Sequence, residues 1–225
     1  MNTTALASLA ALGALALPPP QTLRSIYGLS PPPALRARHT ALVLVDFQQE
    51  FVTGRLPLRH APEAVAQATR LAAWARGAGL LVVNVRNVIT RPGSPLFAAA
   101  APATAFIPPL EPQPGELVIT KGTAGAFSRT ELDARLKEKS IDTVIVAGLM
   151  THLAVAITAT DATLLGYHTI VAADATATRA LPGADGGGAV DEAQLQRAAL
   201  ALLADRAADV LSTGALLRLP IDGRP

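Results

Sequence analysis

The chain has 225 residues, half of them apolar and 16% charged, with a formal net charge of +2 and no cysteine. This length and apolar content suit one well-buried α/β domain. The near-balanced charge, with no Lys/Arg cluster interleaved with aromatics, argues against a nucleic-acid partner. Without cysteine the chain forms no disulfide and no thiolate metal site.

Residues 5–17 are apolar but too few to span a bilayer. No Lys or Arg precedes them and Pro18-Pro19-Pro20 follows, so they read as an N-terminal helix or arm packing on a neighbouring subunit rather than as a cleaved export signal. Residues 1–35 are taken as this arm and 36–225 as the domain. Six β-branched or apolar runs follow at 41–47, 80–86, 117–120, 143–148, 168–174 and 209–212. Most are continuous rather than alternating, as in strands covered on both faces. Between them, 62–78, 129–139, 151–165 and 191–205 carry apolar residues at three- and four-residue spacing and predict helices. Strand–helix alternation predicts an α/β fold, a three-layer α/β/α sandwich around a mostly parallel sheet. The Pro-, Ala- and Gly-rich stretch 89–115 reads as a pocket wall and 183–188 as a flexible link. Tyr27 and Trp74 read as structural.

Ligands of open parallel sheets sit at the carboxyl ends of strands, which singles out the polar residues ending the apolar runs. Asp46 ends the first in LVLVDFQ, Lys121 follows the third in LVITKG, and Ala154 lies just past the fourth in GLMTHLA. A helix starting with Thr151 as N-cap would place Ala154 in its first turn, among unpaired N–H groups that favour an anion. A cysteine there would have a lowered pKa, and the same N–H groups could hold an oxyanion.

The combination of LVLVDFQ, VITKGTAGAF and GLMTHLAV with the continuation TATDATLLGYHTIVAADATATR resembles the isochorismatase-like cysteine hydrolases over about residues 36–211. The resemblance implies a Rossmann-like six-stranded sheet between helices and a triad of Asp, Lys and Cys. Asp46 and Lys121 match the first two, and Ala154 stands where the family pattern T-H-x-C-V has cysteine. It also implies a cis peptide between Leu149 and Met150, with the N–H groups of Met150 and residue 154 forming an oxyanion hole. The implied chemistry is cleavage of a C–N bond in a small amide or lactam by a cytoplasmic homodimer or homotetramer.

Ala154 admits three readings: a deliberate Cys-to-Ala substitution giving an inactive variant, a natural cysteine-free hydrolase of the isochorismatase type acting on a vinyl ether, and a non-catalytic binding or assembly member of the fold. The opening TLRSIYGLSPPPALRARHTALVLVDFQ looks most like the streptothricin hydrolase-like group, beside N-carbamoylsarcosine amidase-like members. The resemblance extends to metal-binding nicotinamidases, which carry a D-x-H pattern with further histidines. No D-x-H occurs here and the four histidines lack ligand spacing, so neither a metal nor another cofactor is expected. Candidate substrate contacts are Gln48, Arg86, Phe97, Phe106, Phe127, Thr151 and His152, with Arg86 suited to a substrate carboxylate. The ring residues would supply apolar walls.

Overall fold

The computed structural model describes residues 18–184 and 186–223. The six apolar runs form β1 (Thr40–Val45), β2 (Leu81–Asn87), β3 (Leu117–Lys121), β4 (Thr143–Leu149), β5 (His168–Ala177) and β6 (Asp209–Leu211). They make one sheet in the order β3-β2-β1-β4-β5-β6, every neighbouring pair parallel. Strand β1 is buried at all six positions because both faces of the sheet are covered.

The longer helices are α1 (Ala61–Gly77), α2 (Leu132–Glu138), α3 (Ala156–Leu164) and α4 (Glu192–Leu202), beside the four-residue helices Leu23–Ile26 and Thr213–Leu216. Helix α1 turns Ala64, Ala68, Leu71, Ala72 and Ala75 toward Leu42, Leu44, Ile145 and Ile170. On the opposite face Val43, Val45, Val144 and Val146 meet Leu132 and Leu136 of α2 and Ala159 and Ala162 of α3. The period-two alternation along β1 thus divides its side chains between two cores, and the α/β/α sandwich follows.

Local details depart from the pattern. Helix α2 starts at Leu132 rather than 129, because Arg129 has φ 57°, a left-handed conformation that a right-handed helix cannot include. The helix after β4 is entered through a π turn, Thr151–Val155, with Met150 rather than Thr151 in the capping place. Thr151 makes no capping hydrogen bond, and its buried hydroxyl lacks a partner. The stretch 89–115 contains two short 3₁₀ turns, Pro102–Thr104 and Pro108–Leu110. The link at 183–188 is bracketed by antiparallel pairing of Leu181–Pro182 with Ala189–Val190. Leu35–Arg36 pairs in parallel with Ile221–Asp222. The apolar run 5–17 lies outside the described residues. Among the described residues no helix is long and apolar enough to cross a membrane.

Candidate active site

Strand order reverses between β1 and β4, and the crevice beyond their carboxyl ends is where this architecture places ligands. Asp46 follows β1 directly. Its N–H still donates to the carbonyl of Val85 at 2.9 Å, but its φ of 56° turns the chain out of the strand. A short polar side chain is among the few that tolerate this conformation.

Lys121 ends β3, two strands away from β1, a separation of about 10 Å at the usual strand spacing. Its long stem reaches across, and Nζ donates to Asp46 Oδ2 at 2.6 Å and to the carbonyl of Thr123 at 3.0 Å. The two side chains are 0% and 3% exposed. Burial pushes the Asp46 carboxyl up to about 6, with the charge and hydrogen bond of Lys121 opposing the rise only in part. Asp46 Oδ1 is buried without a partner.

The third position comes from β4. Gly148 lies opposite Val45, where a Cβ would sit 2.4 Å from the Val45 carbonyl oxygen, so only glycine lets the two strand ends approach this closely. The Leu149–Met150 peptide is cis. The Met150 carbonyl then accepts from the N–H groups of Leu153 and Val155, both at 3.2 Å, closing the π turn. Ala154 sits in that turn, 4% exposed, in the same apolar cluster as Val45 and Val146. Its methyl group offers neither nucleophile nor acid.

The remaining candidates disperse. Gln48 is fully buried: Nε2 donates to the carbonyls of Asn87 at 3.0 Å and Thr104 at 2.7 Å, and Oε1 accepts from the Asn87 N–H at 2.8 Å. It clamps the ends of β1 and β2 to the 89–115 stretch. His152 is half-buried and bonds through Nδ1 to the Thr178 hydroxyl. Burial, then the charge of Arg179, lowers its pKa. Arg86 donates through Nε to Thr120 Oγ1 at 3.1 Å and lines a recess with Val88, Ala99, Pro102, Thr104 and Ala105 among others. Phe97 is in the core against Phe51, ring centroids 5.6 Å apart, rather than forming an open wall. Phe106 bridges to Gln48, and Phe127 stacks on Tyr167 at 5.8 Å.

Sequence reasoning missed Glu50, a buried carboxylate that accepts from the N–H groups of Arg55 at 2.7 Å and Phe97 at 3.3 Å. It fixes the segment after Asp46 to the wall stretch, and no local motif marks it. A recess of 530 Å³ beside the end of β5, lined by His60, Ala64, Asp174, Thr178 and Gln196 among others, includes none of Asp46, Lys121 and Ala154. Among the described residues no group of three or more His, Asp and Glu side chains is placed to hold a metal ion.

A doubly wound parallel sheet with a buried Asp–Lys pair at its switch point defines an α/β protein of the Rossmann-like class with a candidate acid–base centre. Residues 40–215 match the isochorismatase domain, and the chain belongs to the isochorismatase family of hydrolases. It is 32% identical to a secreted isochorismatase effector of Verticillium dahliae, over 82% of this chain and 93% of the relative. It is 35% identical to maleamate amidohydrolase of Pseudomonas putida, over 63% of this chain and 74% of that protein. It is also 35% identical to streptothricin hydrolase of Streptomyces noursei, over 64% of this chain and about half, 51%, of that protein. Among solved structures, an isochorismatase from Pseudomonas putida KT2440 is 37% identical and superimposes with a TM-score of 0.80, covering 87% of this chain and 98% of that one.

Proposed function

We propose that the site is built for hydrolysis of a C–N bond in a small amide or lactam, and that this chain, with Ala154 in the nucleophile's place, binds such a molecule without cleaving it. The observation that carries this reading is the buried Asp46–Lys121 pair at the strand ends that also present residue 154. Relatives named maleamate amidohydrolase and streptothricin hydrolase support the bond type.

With cysteine at 154, Asp46 would take the thiol proton and the thiolate would attack the amide carbon. The N–H groups of Met150 and residue 154 would hold the oxyanion, at about 3 kcal/mol per donor. Asp46 would return the proton to the departing amine, water would hydrolyse the thioester, and Lys121 would balance the charge throughout. Alanine removes the covalent step and leaves the binding.

A second reading has one observation in its favour. A carboxyl near 6 with an unpartnered oxygen can donate a proton without a thiol, as cleavage of a vinyl ether requires. One experiment separates the two. Ala154→Cys and the unaltered chain are assayed on maleamate, streptothricin and isochorismate, with intact mass spectrometry for an acyl adduct. The first reading expects amide turnover and an adduct only in Ala154→Cys; isochorismate cleavage by the unaltered chain, abolished by Asp46→Asn, would establish the second instead.

A further inference from the structure

The recess beside Arg86, at the carboxyl end of β2, stands apart from the Asp46 centre. It encloses 420 Å³ between Arg86, Val88, Pro102, Thr104 and four alanines, and none of Asp46, Lys121 and Ala154 lines it. That volume suits a small molecule. Arg86 is the only charged residue among those lining it. The Thr104 hydroxyl is already given to the Ala98 carbonyl at 2.7 Å, so the recess offers one cation and otherwise mainly apolar walls.

An arginine drawn partly out of water is best matched by an acid. Arg24 holds Asp209 at 2.6 Å, and Arg76 holds Glu116 through two bonds of 2.7 and 3.1 Å, both from largely buried positions. Arg86 is half-buried as well, yet among the described residues it forms no ion pair. Its side-chain bond runs from Nε to the neutral Thr120 hydroxyl of the edge strand β3. Both η nitrogens are left without a protein acceptor among the described residues, and together they form the end-on fork that fits a carboxylate.

We infer that this recess binds a small carboxylic acid with an apolar body, the carboxylate on the Arg86 fork and the body against Val88, Pro102 and the alanines. A single cation balances one carboxylate, whereas a phosphate would call for further donors that the walls do not supply. The site does not depend on the chemistry of Asp46, but it is joined to that centre mechanically. The Thr104 carbonyl accepts from Gln48 Nε2 at 2.7 Å, and Gln48 follows Asp46 by two residues. An occupied recess therefore holds the wall stretch against the same clamp.

The test is an NMR titration with benzoate, with benzamide and inorganic phosphate as controls, on the unaltered chain, Arg86→Gln, Arg86→Lys and Asp46→Asn, each checked for folding by its thermal melt. Benzoate is expected to shift amides over 86–88 and 98–105 in a saturable way and to slow their hydrogen exchange about threefold. Arg86→Gln should weaken binding about tenfold. Arg86→Lys should weaken it about threefold, because an ammonium keeps the charge and loses the fork. Asp46→Asn, which alters the other centre, should leave the affinity within a factor of two. Affinity undiminished in Arg86→Gln overturns the inference. So do equal binding of benzamide or phosphate, the absence of saturable shifts, and shifts centred on residues 46, 121 and 150–154, which would put the acid in the Asp46 centre instead.

Discussion

Asp46 combines two conditions that oppose each other: a cation 2.6 Å away that favours its charged form, and a burial that favours the neutral one. Burial prevails, and the carboxyl titrates near 6 instead of near 3.8. A carboxyl raised by folding contributes stability in full below about 3.8 and loses that contribution as pH rises through about 6. Relative to Asp46→Asn, the unaltered chain should therefore lose about 2–3 kcal/mol between pH 4 and pH 6, read by urea unfolding at each pH. A carboxyl-carbon NMR titration of Asp46 with its midpoint below about 4.5 would contradict the burial argument. Asp46 and Lys121 were legible in the sequence because each is a charged residue closing an apolar run. Glu50 was not, since what makes it matter is the Phe97 N–H it meets, 47 residues away.

At the scale of elements, the wall stretch is held to the site by Gln48 more than by its own turns. The side chain contacts backbone 39 and 56 residues further along, so nothing in its neighbourhood distinguishes it from a solvated turn residue. Gln48→Met keeps much of the volume but leaves the Asn87 N–H and the Thr104 carbonyl without their partner. It should cost about 3 kcal/mol in urea unfolding and raise the exchange rates of residues 87 and 104–107. A loss under about 0.5 kcal/mol would mean that water replaces the clamp. The same limit of local pattern explains α3. Its apolar spacing from 151 onward reads as an ordinary helix start, whereas the added residue in the first turn arises from how β4 hands over to it. Phe97, read as a pocket wall, adopts φ 51° and enters the core beside Phe51, a placement fixed by Glu50 and not by its own composition.

For the whole molecule, the three-layer sandwich was readable because continuous apolar runs demand cover on both faces, and all six became strands. The two-residue pairings that close the molecule, Leu35–Arg36 with Ile221–Asp222 and Leu181–Pro182 with Ala189–Val190, had no such signal, being too short to show a period. The long reach of Lys121 has a kinetic consequence. Its bond to Asp46 joins residues 75 apart and spans β2, so it closes only after β1, β2 and β3 have aligned, and the entropy of that loop is met late on the folding path. Interactions absent from the folding transition state act on the unfolding rate alone. Lys121→Met should therefore speed unfolding about tenfold while leaving the refolding rate within a factor of two, in stopped-flow urea jumps. The lifetime of the native state, more than the speed of reaching it, should then depend on keeping that lysine.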